Sequence, residues 1–194
     1  MKRLSVTLLI WLALASAALA QAWGPIPQVS ITTNIPTYAT TDGNIANTGA
    51  GDIFCLSNTS ATRYLYINEI HTNGTATAAL VVNVNVIKRS TAASGGTPVA
   101  ESIIPFSNNN PATVATAVGY TVSPTPGTAI GTIMSHKVAI GVQGNTASIS
   151  DAEFLFGNKA DQAIRIGNGH SLCVNVAAAG AGASWAVYMK WTEQ

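Results

Sequence analysis

Residues 78–88 read AALVVNVNVIK, and this stretch decides the fold. Leu80, Val82, Val84 and Val86 fall on one face of an extended chain, and asparagines occupy much of the other. Successive side chains of a β-strand point to opposite faces, so a period of two predicts a half-buried strand and excludes an amphipathic helix.

The same alternation recurs in Ser184–Thr192, where Trp185, Val187, Met189 and Trp191 are predicted to enter the core. Shorter strand patterns, separated by turn residues such as Asn73-Gly74, occupy Asp52–Ser57, Thr62–Asn68, Val99–Ile104, Thr113–Val122, Ala129–Ile140, Ser148–Phe156, Ala163–Ile166 and Ser171–Ala177. No segment has sustained helical periodicity. Short strands separated by turn signals indicate an all-β fold, either a sandwich or a barrel. Of these we predict an antiparallel β-sandwich of the jelly-roll kind.

The first segment, residues 1–20, has the order of a secretory signal peptide. Lys2 and Arg3 precede a short apolar run, and Ala18-Leu19-Ala20 forms a small-residue cleavage site before Gln21. Cleavage between Ala20 and Gln21 predicts a secreted, periplasmic or extracellular protein. The alternative is an uncleaved segment that anchors the chain in a membrane, which is the only membrane contact we expect.

Composition limits the remaining possibilities. Only 9% of the 194 residues are charged, 47% are hydrophobic, and the formal net charge is +1. Without a cluster of Lys and Arg to neutralise phosphates, nucleic acid is excluded as a partner. Residues 21–51 are rich in Pro, Thr, Asn and Gly and are predicted to form an extended N-terminal arm or loop, so that the sandwich occupies 52–194.

Two cysteines, Cys55 and Cys173, lie in predicted strands 118 residues apart. An oxidising compartment would allow them to form a disulfide. The alternative is two separately buried thiols that pack as small hydrophobic groups.

The chain carries little that resembles catalytic chemistry. His71, His136 and His170 match no metal-ligand spacing and are interpreted as surface or loop-edge residues. Asp151 and Glu153 lie two apart on a predicted strand and could serve as the acid and base of a glycoside hydrolase, although a polar strand face is the simpler interpretation. We expect no enzymatic activity, no cofactor and no metal ion.

Tyr64, Tyr66 and Asn68 share one face of a predicted strand. Aromatic rings beside amides are suited to stack on sugars and to hydrogen-bond their hydroxyls, which predicts a glycan contact. The alternative places Leu65 and Ile67 outward and packs the tyrosines in the core.

The second half of the chain resembles uncharacterised structural proteins of tailed bacteriophages. The segments that carry this resemblance are VIKRSTAASGGTPVA (86–100), SNNNPATVATAVGYTVSPTPGTAIGT (107–132), FLFGNKADQAIRIGNGHSLCVNV (154–176) and VYMKWTEQ (187–194). The resemblance implies a jelly-roll-like sandwich on or near the virion, built into an assembly and without an active site. Tailed-phage particles assemble in the cytoplasm, so either the signal segment is unused or a cell displays a phage-like domain.

Together these observations predict a non-enzymatic structural subunit of a virion-surface or extracellular assembly. Its partners would be further copies of the chain or other virion or surface proteins, contacted through an edge strand or the arm Gln21–Tyr38. The alternative function is a secreted glycan-binding or adhesion module that uses the tyrosines.

Overall fold

The computed structural model describes residues 35–47, 49–142, 151–157, 162–178 and 180–194. These residues form twelve β-strands and, within these ranges, no helix, which confirms the all-β prediction. In chain order the strands are β1 (Thr37–Ile45), β2 (Gly51–Asn58), β3 (Leu65–Ala76), β4 (Leu80–Arg89), β5 (Thr97–Ala100), β6 (Ile103–Pro105), β7 (Ala115–Val122), β8 (Ala129–Val142), β9 (Ala152–Leu155), β10 (Ile164–Ile166), β11 (Ser171–Val176) and β12 (Ser184–Glu193). The predicted cleavage site at Ala20 and Gln21 and residues 148–150 of one predicted strand lie outside the described residues.

The strands make one continuous sheet that curls on itself. Its order is β5-β7-β2-β11-β4-β8-β3-β12-β1-β6, and β9 and β10 also pair with β3. We call the part β5-β7-β2-β11-β4-β8 the first limb. The part β3-β12-β1-β6, together with β9 and β10, is the second limb. The limbs meet where the end of β8 pairs with the end of β3 at Thr75↔Gly141 and Ala76↔Val142. This junction is parallel, so the prediction of a purely antiparallel sheet is wrong at that point.

One hydrophobic core fills the space enclosed by the two limbs. In β4 the alternate residues Val82, Val84 and Val86 are buried, as the period of two predicts. In β12 the four predicted core residues are also buried; they are Trp185, Val187, Met189 and Trp191. Both sets belong to the same core cluster, so the first and second limbs pack face to face.

The segment that contains β5, β6 and β7 connects the two free edges of the path. β5 and β7 extend the first limb from β2, whereas β6 pairs with β1 in the second limb. Between them, the amide of Glu101 donates to Ala117 O at 2.9 Å, and Ser102 O accepts from the Thr40 hydroxyl at 3.0 Å. The predicted single strand Val99–Ile104 is therefore wrong, because the chain crosses from one edge to the other at these two residues.

The predicted boundary between arm and sandwich is also wrong. β1 lies within 21–51, and its Tyr38 and Ile45 are each 1% exposed in the core. The Tyr38 ring stacks on Trp191 with ring centroids 6.0 Å apart. The compact unit therefore begins at Ile35.

Candidate functional site

The tyrosines of the predicted glycan contact face outward. Leu65 and Ile67 are both 0% exposed, so the alternative that turned them to solvent and packed the tyrosines in the core is wrong. Tyr66 is half-buried, and Tyr64, just before β3, is 37% exposed. Sequence reasoning could not decide the face, because apolar and aromatic residues alternate evenly there.

Tyr66 lines a cleft of about 440 Å³ between the two limbs. The other lining residues are Lys88, Ile133, Gln162, Ala163, Ile164 and Arg165. Arg165 is the register partner of Tyr66 on the adjacent β10, which sets the two side chains on the same face. Lys88 continues the alternation of the buried residues Val84 and Val86, so its side chain leaves β4 on the inner face of the sheet. There it lines the cleft between the two limbs.

The basic groups of this cleft are held in defined positions. The guanidinium carbon of Arg165 lies 4.2 Å from the centroid of the Tyr64 ring, within the range of a cation–π contact. Lys88 Nζ donates to the carbonyl of Arg165 at 2.7 Å, which links β4 of the first limb to β10 of the second. The arginine covers one face of Tyr64, so this ring orients Arg165 rather than offering both faces to a sugar.

Asn68 does not join the tyrosines. It lines a different cavity of about 300 Å³, together with Glu69, Leu155 and Lys190. The three residues of the predicted glycan contact are therefore divided between two sites. The neighbours that do meet at the cleft, Lys88 and Arg165, come from strands whose adjacency no local pattern indicates.

The carboxylates of the predicted hydrolase pair lie on the outer surface around His71. His71 Nε2 lies 2.7 Å from Glu69 Oε1 and 3.8 Å from Glu153 Oε1, and His71 Nδ1 lies 3.2 Å from Asp151 Oδ2. Asp151 and Glu153 have side chains 50% and 51% exposed. They thus meet His71, for which the sequence predicts a surface or loop-edge position and no metal-ligand role. Glu69, His71 and Glu153 offer ligand atoms within 4.8 Å of one another, an arrangement compatible with a cation.

Charge pairing shifts the pKa values in this cluster. Hydrogen bonds from Lys190 and then His71 hold the pKa of Glu69 below its usual value. Partial burial disfavours the charged form of His71, but hydrogen bonds to Glu69 and Asp151 outweigh it and raise its pKa. When His71 is protonated the cluster is thus an ion-pair network, because Glu69 and His71 each favour the charged form of the other.

A second pair of carboxylates, Asp42 and Glu101, was not predicted from the sequence. The side chains of Asp42 and Glu101 approach each other beside Gly119, and burial followed by the charge of Asp42 raises the pKa of Glu101. Asp42 is on β1 and Glu101 follows β5, so only the crossing of the chain between the two edges brings them together.

The structure links Cys55 and Cys173 by a disulfide. The two residues are direct register partners on β2 and β11, with Cα atoms 4.1 Å apart. Beside the bridge, buried Asp52 accepts from Arg89 Nη2 at 2.6 Å. These groups are buried and paired, so the cluster has a structural role.

The other two histidines lie apart from these clusters. His136 on β8 packs edge-on against Phe154 with ring centroids 6.0 Å apart. His170 precedes β11, and its carbonyl accepts from the amide of Asn58 at 3.0 Å. Neither belongs to a group of three potential metal ligands within the described residues.

An apolar groove of about 270 Å³ lies on the outer face of the second limb. Ile104 and Phe106, which are 61% and 59% exposed, form one wall. Ala39, Thr41 and Tyr188 contribute to the opposite wall and floor. Apolar side chains exposed side by side are typical of surfaces that bind another chain.

Comparisons with known proteins add no relative. No family model matches the chain, and neither the curated proteins nor the solved structures contain a significant match. In the described part of the chain, there is also no helix long and apolar enough to span a bilayer. Function must therefore be inferred from the surfaces themselves.

Proposed function

We propose that the chain is a non-enzymatic structural subunit of a virion-surface or extracellular assembly, and that its curled sheet is a jelly roll. The strand order supports this fold. β1, β12, β3 and the pair β9/β10 are neighbours in the second limb, and β2, β11, β4 and β8 are neighbours in the first. Eight strands distributed in this way correspond to two interlocked Greek keys, with β5–β7 as an insertion. Jelly rolls of this kind form capsid and lectin domains.

The apolar groove carries the assembly proposal. We assign its occupant to residues 21–34 of a second copy, which include Trp23, Ile26 and Ile31. The described chain begins at Ile35, and Thr37 already accepts a hydrogen bond from the amide of Phe106 at the groove wall. A segment of fourteen residues can span up to about 46–50 Å, which is enough to reach a neighbouring subunit. Exchange of such arms around a symmetry axis would give a closed oligomer.

The native mass of the protein tests this assignment. We expect a multimer that becomes monomeric when residues 21–34 are deleted, and likewise in the double variant Ile104→Ser/Phe106→Ser. Val81→Ser is the matched control, because Val81 is 65% exposed on β4, away from the groove. A monomeric parent protein, or a multimer that survives the deletion, would overturn the proposal. Unchanged circular dichroism would establish that each variant is folded.

Export of the subunit is part of the same proposal. The order of residues 1–20 supports a cleaved signal peptide. The mass of the natively expressed protein checks it: a species that begins at Gln21 is expected, and an intact Met1 in an assembled particle would instead favour cytoplasmic assembly on a virion.

A secreted glycan-binding module is the second candidate function, and the cleft at Tyr66 favours it. A concave site of about 440 Å³ with a phenol, an amide and two basic groups is of the size and chemistry that small-ligand sites show. Tyr66→Ala is expected to abolish binding in an oligosaccharide panel, whereas Tyr66→Phe, which keeps the ring, should retain part of it. If Tyr66→Ala bound as tightly as the parent, this candidate would fail.

A further inference from the structure

We propose that the Tyr66 cleft binds the carboxylate of an acidic saccharide, and that Lys88 and Arg165 are the groups that recognise it. This inference rests on the glycan-binding candidate above and names its ligand class. A neutral sugar needs only stacking and hydroxyl contacts. The cleft supplies, in addition, positive charge that the described protein does not neutralise.

In the described part of the chain, charge balance distinguishes this cleft, where two unpaired cations lie side by side, from the ion-paired basic sites and from the single Lys137. Three cations form ion pairs with carboxylates within 4.0 Å; these pairs are Arg63–Glu193, Arg89–Asp52 and Lys190–Glu69. Lys88 and Arg165 have no such partner among the described residues, and the lining residues include no carboxylate. Two adjacent cations in a concave surface attract an anion from solution.

The geometry of Arg165 is suited to a carboxylate. Its guanidinium is oriented by the Tyr64 ring at 4.2 Å, and in the described part of the chain its N–H groups have no hydrogen-bond acceptor. A planar guanidinium held in this way can donate two parallel hydrogen bonds to one carboxylate. Lys88 Nζ uses one of its three protons on the Arg165 carbonyl and keeps two for a ligand.

The remaining lining fits a sugar better than a phosphate polymer. Tyr66 and Gln162 provide a hydroxyl and an amide for sugar hydroxyls, and Ile133 and Ala163 provide an apolar wall for the face of a pyranose ring. A nucleic acid would need a continuous run of cations along its backbone, whereas this cleft has two. We therefore assign the ligand to a uronic-acid-containing glycan.

Oligogalacturonate and its methyl ester are the probes that test the assignment, because esterification removes the carboxylate charge, adds only a methyl group and leaves the sugar ring and its hydroxyls unchanged. Binding is measured by calorimetry at low salt on the full protein. We expect oligogalacturonate to bind and the methyl ester to bind at least about tenfold more weakly, as the loss of a charge-assisted hydrogen bond predicts. Arg165→Gln and Lys88→Gln should each weaken oligogalacturonate by about tenfold. Lys137→Gln, which removes an exposed cation on β8 outside the cleft, should change it less than twofold.

The outcomes separate this inference from the function on which it rests. Equal binding of the ester and the acid, lost in Tyr66→Ala, would overturn the acidic ligand and leave neutral glycan binding standing. Binding of neither probe would overturn the acidic ligand, and if the oligosaccharide panel also showed no binding, the glycan-binding candidate would fail with it. An equal loss in Lys137→Gln, or displacement by inorganic phosphate at equal concentration, would overturn specific recognition of a saccharide carboxylate. Arg165→Lys keeps the charge without the planar fork, and a partial loss there supports the bidentate contact.

Discussion

Trp185 packs directly on the backbone of Gly74. The two residues are register partners on β12 and β3, and a Cβ atom at position 74 would lie 2.8 Å from Trp185 Cε3. It would also lie 3.0 Å from the carbonyl of Ser184 and 3.2 Å from Ile140 Cγ2. The predicted Asn73-Gly74 turn is therefore wrong, because the glycine lies inside a twelve-residue strand. Its lack of a side chain leaves room for Trp185, one of the two tryptophans of the core.

Gly74→Ala should consequently destabilise the fold by about 1–3 kcal/mol, the usual effect of overfilling a packed core. Gly43→Ala on β1 is the matched control, since a Cβ atom there has nothing within 4 Å. We expect the control to change the free energy of unfolding by at most about 1 kcal/mol, and in the stabilising direction. Urea denaturation measures both variants. Equal midpoints for the two would show that Trp185 does not need the glycine.

Breaking the buried ion pair of Asp52 and Arg89 is predicted to lower the free energy of unfolding strongly. Replacing both residues with apolar ones is predicted to lower it much less. Asp52 is 0% and Arg89 4% exposed, and Asp52 Oδ1 also accepts from Asn175 Nδ2 at 2.8 Å. Asp52→Asn leaves a buried guanidinium without its counter-charge, so we expect a loss of about 3–5 kcal/mol. The double variant Asp52→Leu/Arg89→Met should recover most of this loss, because it buries no charge. Denaturant titrations of the two variants are the test, and a double variant that is less stable than Asp52→Asn would contradict it.

Removal of the Cys55–Cys173 disulfide is predicted to lower the free energy of unfolding by about 2–5 kcal/mol. The bridge closes a loop of 118 residues and joins the neighbouring strands β2 and β11, so it restricts the unfolded chain strongly. Cys55→Ala/Cys173→Ala should match the reduced parent protein, and reductant should have no effect on this double variant. The mass of the oxidised parent should be lower by two hydrogens than the reduced mass. Two free thiols in a protein purified without reductant would contradict the bridge.

Local periodicity accounts for the parts of the fold that were predicted correctly. In β4 and β12, each strand has one apolar and one mixed face, so the alternation identifies both the strand and its buried side. β1 lacked that signal: TYATTDGNI has only Tyr38 and Ile45 as large apolar residues, seven positions apart. Its place in the core depends on pairing with β12, which no local pattern encodes.

The candidate sites depend on register even more strongly. Tyr66 was predicted from its own strand, but Lys88 and Arg165 are 77 residues apart and meet only because β10 pairs with β3 at the open side of the two limbs. The cluster around His71 likewise needs the pairing of His71 with Glu153 across β3 and β9. A sequence pattern can identify candidate residues on one strand. A site assembled from three strands can be predicted only when the order of the strands in the sheet is known.

The cluster around His71 makes the free energy of unfolding depend on pH in a defined direction. His71 has a raised pKa, so the folded protein holds the imidazole proton more tightly than the unfolded chain, whose histidine titrates at about 6.5. The resulting stabilisation is complete below pH of about 6.5 and is lost as the pH rises through the higher pKa of the folded state. The groups that face His71 are Glu69, Asp151 and Glu153, and the ring of Tyr188 lies 5.7 Å away.

We expect the parent protein to have a higher denaturation midpoint at pH 6 than at pH 9, with His71→Gln reducing this difference. Asp151→Asn should reduce it partially, because it removes the negative charge of one of the two carboxylates whose hydrogen bonds and charges raise the pKa. Parallel chemical denaturation at the two pH values measures the effect, and NMR titration of the imidazole protons locates the pKa directly. A His71 pKa below 6.5 in the folded protein would reverse the sign of the stability difference and contradict the ion-pair network. A value above 6.5 that falls in Asp151→Asn would establish that the carboxylate preceding β9 holds the charged histidine on β3.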